Sequence, residues 1–121
     1  MNQHYCTLCL GSNFNRHTRI NQARRALAFH FPNIRFGEEM ETKAIGCGFL
    51  SPFINQLAQF TTALSQEEIR SILKSIEKEN GRLPEDKAQG IVKLDIDLLM
   101  YDNQILKPKD MEKDFIRQGM K

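Results

Sequence analysis

The sequence has no tryptophan, few cysteines and almost no excess of either charge. Three cysteines form no disulfide framework, and they fit a reducing compartment. Lys and Arg outnumber Asp and Glu by 17 to 15, and a net charge of +2 gives no general attraction to nucleic acid or to an anionic membrane. No apolar run approaches the ~20 residues that span a bilayer, and no signal peptide is recognisable. We therefore expect a cytoplasmic protein without nucleic-acid or membrane partners.

The chain has the size and composition of a globular domain. Its 121 residues are 40% hydrophobic and 26% charged, which is close to the globular average. A chain of this length buries roughly two-thirds of its unfolded surface, so it can form a hydrophobic core without disulfides or metals. We expect one domain over residues 1–121, of unknown oligomeric state.

Alternating strand and helix patterns predict the secondary structure. Residues 91–101 (IVKLDIDLLMY) are strongly apolar and predict a central strand. A capping box at Ser65 and Glu68 predicts the start of the second helix. The predicted elements are, in order, a strand over 5–10, a helix over 15–31, an extended segment over 34–42 with a bend or bulge at Gly37, a strand over 53–62, a helix that ends at Asn80 and Gly81, a strand over 91–101, a short edge strand at 105–106 and a short helix within 110–119.

This order predicts an α+β fold. It reads β-α-β-β-α-β, the order of the ferredoxin-like sandwich, in which an antiparallel sheet carries two helices on one face. In the second extended segment, Ile34, Phe36, Met40 and Thr42 share one parity, so we expect their side chains on one face of the sheet. The fold hosts many unrelated functions and predicts none of them.

Two carboxylates in the most apolar strand give the sharpest functional signal. Asp95 and Asp97 are two residues apart, and strand geometry places both side chains on one face. Two like charges side by side repel each other and lose hydration unless a cation joins them, and Mg²⁺ prefers oxygen ligands of this kind. The alternative is a pair of solvent-facing carboxylates on a sheet with one wet face.

Two other motifs favour structural roles. Cys6 and Cys9 are three apart on a strand and face opposite sides, so we do not expect them to share a zinc ion. The turn LGSN at 10–13 lacks the glycines of a dinucleotide fingerprint or a P-loop, and a structural turn is the better interpretation.

Four segments in a fixed order resemble a known family. They are LGSN at 10–13, FINQLA at 53–58, IEKENGR at 76–82 and LDIDLLMYDN at 94–103. Together they resemble 6-hydroxymethyl-7,8-dihydropterin pyrophosphokinase (HPPK), a folate-pathway enzyme with a ferredoxin-like fold. The resemblance implies transfer of pyrophosphate from ATP to the hydroxymethyl group of the pterin, with release of AMP.

The resemblance also implies a set of site residues. Two Mg²⁺ ions would be held by Asp95 and Asp97, with ATP as the co-substrate. Glu77 and Arg82 match a pair at a helix end, and Arg82 is also a candidate catalytic residue. The other implied residues are Phe53 and Phe115 for stacking on the pterin, Asn55 for its ring edge, Thr42 and Ile45 for backbone contacts and the pocket wall, and Leu98 for the adenine site.

The departures from the family fall in the ATP-binding half of the site. An arginine expected before the first metal-binding aspartate is replaced by Val92 and Lys93, and Pro108 is followed by Lys109 where the family has histidine. Lys93, Lys107 and Lys109 are candidates to replace the lost charge, although lysine lacks the bidentate fork of arginine. Two alternatives to an active enzyme follow: a degenerate paralogue that binds pterin or nucleotide without efficient catalysis, and a ferredoxin-like protein-interaction module.

Overall fold

The protein folds into an antiparallel sheet that carries two helices. The structure is a computed structural model, and it describes residues 3–42, 53–81 and 83–106. Residue 45 and the predicted helix within 110–119 therefore lie outside the described residues. The elements are β1 (His4–Ser12), α1 (Arg16–His30), β2 (Arg35–Phe36), β3 (Met40–Thr42), β4 (Phe53–Thr62), α2 (Gln66–Glu79), a 3₁₀ helix (Pro84–Gln89), β5 (Asp95–Tyr101) and β6 (Gln104–Ile105).

The sheet confirms the predicted ferredoxin-like topology. Its strand order is β2-β4-β1-β5-β6, and β3 also pairs with β4, next to β2. All pairs are antiparallel. The prediction of a central strand over 91–101 was wrong, because β1 holds the centre between β4 and β5. The strand β5 also begins only at Asp95, since the preceding residues pair with a loop instead.

Both helices cover the same side of the sheet, which we call the helix face. The hydrophobic core on this face includes Leu8 and Leu10 of β1, Leu27 of α1 and Leu73 of α2. The capping box is present as predicted, with Ser65 Oγ accepting from the Glu68 N–H and the Glu68 carboxylate accepting from the Ser65 N–H. Such a cap typically stabilises a helix by about 1 kcal/mol.

The cysteines lie on opposite faces of β1, as predicted. Cys6 is fully buried in the helix-face core, and burial raises the pKa of its thiol to about 11. Cys9 packs on the other side of the sheet with Leu57 and Leu99. A buried thiol with a raised pKa stays protonated at neutral pH, which fits a packing role for Cys6.

A bulge interrupts the edge of the sheet at Gly37. Before the bulge, Phe36 pairs with Ala58, and after it Met40 pairs with Asn55. Residues 38 and 39 of the edge strand therefore both lie opposite a single residue of β4, Gln56. One extra residue moves alternate side chains to the other face. The bulge is confirmed, but the prediction that Phe36 and Met40 share a face was wrong: Phe36 packs on the helix-face core, whereas Met40 lies beside Asn55 on the opposite face.

A polar contact fastens the β5–β6 turn to the start of β1. Asp102 accepts from the Tyr5 N–H at 2.9 Å and lies 2.7 Å from His4 Nδ1. The hydrogen bond from His4, followed by that from the Tyr5 N–H, lowers the pKa of the Asp102 carboxyl. The stability that this contact supplies is therefore present above the ordinary aspartate pKa and is lost as pH falls below it.

We expect Asp102→Asn to flatten the acid limb of the stability profile. Asparagine tolerates the positive φ of 55° at this position and still accepts from the Tyr5 N–H, but it does not titrate. Urea unfolding at about pH 4 and pH 2.5 should show a smaller loss of stability for the variant than for the wild type. The reason is that the pH range in which the Asp102 contact loses its stabilising effect lies below the ordinary carboxyl pKa. An equal loss in both proteins would contradict the assignment.

In the part of the chain that the structure describes, no helix is long and apolar enough to cross a membrane.

Candidate active site

Three residues form a row across the sheet on the side opposite the helices. Gly11 of β1 pairs with Asn55 of β4 on one side and with Asp95 of β5 on the other. Directly paired residues of antiparallel strands project to the same face, so the amide and the carboxylate flank a glycine that has no side chain. Two interstrand spacings separate Asn55 from Asp95 by about 10 Å. We call this side, defined by Asn55, Gly11, Asp95 and Asp97, the carboxylate face.

The glycine is needed because Asn55 lies over it. A Cβ atom on Gly11 would stand 3.0 Å from Asn55 Oδ1 and 3.6 Å from the Ile54 carbonyl oxygen. The first distance is tighter than ordinary van der Waals contact, so any side chain here would displace the amide. The absence of a side chain at Gly11 therefore provides the space that the Asn55 amide occupies over β1.

The two aspartates share this face, as the sequence predicts. Asp97 pairs with Cys9 as Asp95 pairs with Gly11, so both carboxylates project from the carboxylate face, and both are half-buried. Strand rise separates their Cα atoms by roughly 7 Å. Partial exposure leaves room for water or phosphate oxygens beside each carboxylate.

This donor set fits Mg²⁺. Two half-exposed carboxylates supply hard oxygen ligands, and Mg²⁺ ordinarily completes its shell with waters and substrate phosphates. Among the described residues, no three His, Cys, Asp or Glu side chains come together as a group able to hold a metal ion. Asp95 and Asp97 would therefore hold the cation jointly with ligands from solvent and substrate.

Glu77 of α2 fixes the backbone between the two aspartates. Its carboxylate oxygen Oε2 accepts a hydrogen bond from the Ile96 N–H at 2.8 Å. Among the described residues, β6 pairs with β5 at Met100 and Tyr101 and no strand pairs with Ile96 on this side, so the carboxylate accepts the hydrogen bond that a neighbouring strand would accept. A charged acceptor makes this bond stronger than a neutral one. Glu77 thus holds the strand segment that carries both carboxylates.

We expect Glu77→Ala to destabilise the protein by about 1–3 kcal/mol, because the Ile96 N–H loses its acceptor at a half-buried position. Glu77→Gln should recover most of that loss, since its amide oxygen can still accept. Urea unfolding measures the effect, and Glu79→Ala at the same helix end, where the side chain is exposed, should change stability by less than about 0.5 kcal/mol. Equal effects at both positions would argue against a specific role for Glu77.

The connection from α2 to β5 is tied down by a cation and a carboxylate. Lys93 Nζ donates to the Gly81 carbonyl at 2.9 Å and lies 3.5 Å from Asp86 Oδ2. The same Asp86 carboxylate oxygen accepts from the Leu83 N–H. Arg19 of α1 donates to the Asn80 carbonyl, so two cations cap the end of α2, where positive charge is favourable. The ammonium of Lys93 is therefore engaged with the protein's own backbone.

The LGSN segment was predicted as a turn after the first strand, but its first three residues belong to β1, and Asn13 after them makes structural contacts. The Asn13 side chain donates to the Gly90 carbonyl at 2.9 Å and accepts from the Val92 N–H at 2.6 Å. The Asn13 N–H donates in turn to the Val92 carbonyl. These bonds place the residues before β5 against the turn that follows β1.

The structure brings together part of the predicted site. Asn55, Asp95 and Asp97 share the carboxylate face, and Phe53 lies two residues from Asn55 on the same side of β4, paired with Thr42. Leu98 instead packs in the helix-face core and is not brought to these residues. Four further predicted residues lie outside the described part of the chain: Ile45, Arg82, Lys109 and Phe115, as does Lys107.

Sequence reasoning missed Gly11 on the carboxylate face and Gln56, which lies on the helix face of β4. Gly11 was interpreted only as part of a turn, although a glycine inside a strand often marks close approach of another group. Gln56 is 4% exposed in β4 and bonds to the bulge at Gly37, as described below. The available signal was the two consecutive amides Asn55 and Gln56, because alternation along a strand places one of them on the face that the helices cover.

Fold and site together define a ferredoxin-like α+β protein with carboxylates and an amide on one face of its sheet. A family model described as 7,8-dihydro-6-hydroxymethylpterin-pyrophosphokinase (HPPK) matches residues 7–121. The chain therefore belongs to the HPPK family, a family of pyrophosphokinases of folate biosynthesis.

Other comparisons add little. A crystal structure of a hydantoinase/carbamoylase family amidase from Burkholderia ambifaria aligns with a TM-score of 0.47 and 10% sequence identity, over 84% of this chain and 28% of that one. At that level the likeness carries no argument. A comparison with curated protein sequences gives no match.

Proposed function

We propose that this protein is a Mg²⁺-dependent pyrophosphokinase for 6-hydroxymethyl-7,8-dihydropterin. The hydroxymethyl oxygen attacks the β-phosphorus of ATP, the bond between the α,β-bridging oxygen and that phosphorus breaks, and AMP leaves as the hydroxyl proton is released. The products are AMP and the pterin diphosphate. The observation that carries the proposal is the row Asn55–Gly11–Asp95, which sets an amide and a carboxylate on one face of the sheet in a chain of the HPPK family.

Each residue of the row has a role that its chemistry supports. The Asn55 amide offers both a donor and an acceptor to the edge of a pterin ring, and Phe53 offers an aromatic face. Because Gly11 has no side chain, the Asn55 amide can lie over β1. With the ring at Asn55, a substituent on its far side extends toward Asp95, about two interstrand spacings or 10 Å away.

The carboxylates position the phosphate end of the reaction. Mg²⁺, when bound, supplies neutralisation of the triphosphate charge, and pyrophosphoryl transfer depends on such neutralisation and on in-line positioning. Asp95 and Asp97 supply the anionic oxygens for it. Glu77 keeps the backbone between them in place through the Ile96 N–H.

A second candidate function has a specific observation in its favour. Lys93, one of the side chains expected to replace missing phosphate contacts, is bonded to Gly81 and paired with Asp86. A protein that binds pterin at Asn55 without holding the triphosphate tightly would fit this arrangement. Contacts that act in the transition state each lower the barrier by kcal/mol amounts, so their loss would reduce turnover more than pterin binding.

The two functions are separated by one assay. Purified protein is incubated with ATP, MgCl₂ and 6-hydroxymethyl-7,8-dihydropterin, and AMP and pterin diphosphate are followed by chromatography. Formation of both products in equal amounts supports the pyrophosphokinase. Pterin binding by fluorescence quenching without AMP above background supports the binding protein, and absence of both pterin and Mg²⁺-ATP binding favours an interaction module.

A further inference from the structure

The two glutamates of the edge strand lie away from the carboxylate face because of the bulge at Gly37. Glu39 falls inside the bulge, and Glu41 pairs with Ile54 and so projects toward the helix face. If the strand continued in the register of Arg35 and Phe36, residue 39 would oppose Asn55 and residue 41 would oppose Phe53. That one-residue slip would place two more carboxylates on the carboxylate face, beside Asn55 and Phe53.

Side chains from three elements hold this bulge in place. Gln56, 4% exposed, donates from Nε2 to the Gly37 carbonyl at 2.6 Å. Its Oε1 accepts from Arg24 Nη1 of α1 at 3.1 Å, and the same Nη1 lies 3.0 Å from Glu39 Oε2. A second arginine of α1, Arg16, pairs with Glu41 at 3.6 Å. The helix thus reaches both glutamates of the edge strand.

The edge strand is held by short ladders on both sides of the bulge. A cavity of about 120 Å³ adjoins the bulge and is lined by Gly37, Leu57 and Gln59 among others. The short strands β2 and β3 have two and three residues, so the register depends little on the ladder itself. The hydrogen bonds of the Gln56 side chain therefore contribute strongly to the preference for the observed register over the register shifted by one residue.

We propose that Gln56, Arg24 and Glu39 are positioning residues that set the register of β3 and so shape the pterin side of the site. The inference rests on the proposed function for its ligand, and on the bulge for its geometry. In the observed register Met40 and the backbone of Thr42 lie beside Asn55 and Phe53. The network excludes the alternative in which acidic side chains line the ring-binding end of the carboxylate face.

Three variants test the network, and each removes one member. Gln56→Leu removes both of its hydrogen bonds at similar volume, Arg24→Met removes the guanidinium, and Glu39→Gln removes the charge at the bulge. Arg25→Met is the matched control, because Arg25 is the next residue of α1 and its side chain is exposed. Pterin affinity is measured by fluorescence quenching, ATP affinity by competition with a fluorescent nucleotide, and amide exchange by NMR.

We expect pterin to bind at least about tenfold more weakly to Gln56→Leu and Arg24→Met, with ATP affinity changed less than about twofold. A smaller loss is expected for Glu39→Gln, since its side-chain oxygen still accepts from Arg24. Amides of residues 38–42 should exchange faster, while those of β1 and β5 stay protected. If a variant raises KM for pterin and leaves kcat little changed, its weaker binding reflects a changed register of β3 and not a general loss of folding.

The outcomes distinguish this inference from the proposed function. Pterin binding by the wild type with unchanged affinity in all three variants would refute the positioning role alone. Faster exchange over 38–42 without weaker pterin binding would also refute it. No pterin binding by the wild type would instead refute the proposed function. If Gln56→Leu does not fold, the partly exposed Arg24 supplies the decisive variant, and equal behaviour of Arg24→Met and Arg25→Met would overturn the inference.

Discussion

Replacing Asp95 or Asp97 with asparagine is expected to lower AMP formation by about 10²- to 10³-fold for each carboxylate. Asparagine keeps the shape and one oxygen of the side chain but removes the negative charge that attracts Mg²⁺. Both aspartates project from one face of β5, so neither can replace the other without moving the strand. The double variant should therefore lose little beyond the larger single effect, because residues that act as a unit are not additive.

The assignment of Asp95 and Asp97 as Mg²⁺ ligands is tested by how the AMP formation of each variant depends on the Mg²⁺ concentration. AMP formation is measured over a range of MgCl₂ concentrations for each variant, and the wild type should saturate at a lower concentration. Pterin binding should remain within a few-fold of wild type, since Asn55 lies about two interstrand spacings from Asp95. Glu79→Gln removes an exposed carboxylate at the end of α2 and serves as the control. Full turnover by Asp97→Asn would refute the assignment.

Local signals in the sequence were sufficient for most of the secondary structure. The predicted strand over 53–62 coincides with β4, and the capping box at Ser65 begins α2 as predicted. The spacing of Asp95 and Asp97 alone placed both on one face. These features depend on neighbours along the chain, through backbone period and side-chain capping, so no tertiary contact was needed to predict them.

Features set by tertiary contacts were not predictable in the same way. Residues 91–94 were predicted as the start of a strand, but the Asn13 side chain accepts a hydrogen bond from the Val92 N–H, and β5 begins only at Asp95. The parity change after Gly37 depends on Gln56 and Arg24, which are distant in sequence from the bulge. The row that joins Asn55 to Asp95 requires the register of β1 on both sides, and no single segment contains it.

Gly11→Val is expected to reduce pterin turnover on the order of 10²-fold, because displacement of a positioning group by about 1 Å has effects of that size. A Cβ atom at this position already meets Asn55 Oδ1 at 3.0 Å, and the branched side chain of valine would push the amide further. Gly11→Ala needs a shift of only a few tenths of an ångström and should have a milder effect. The loss should therefore grow with side-chain size, in both pterin affinity and AMP formation.

The direction of the stability change distinguishes displacement of the Asn55 amide from an effect of the substitution on the backbone of β1. Gly11 shows no positive φ, so alanine is compatible with its strand conformation and would by itself stabilise the fold by roughly 0.5–1 kcal/mol. We expect pterin binding to weaken in Gly11→Ala even where urea unfolding shows no loss of stability. In an Asn55→Ala background, Gly11→Ala should have almost no further effect on pterin binding, because the group that it displaces is gone. An additive loss in the double variant would place the role of Gly11 elsewhere than beneath the Asn55 amide.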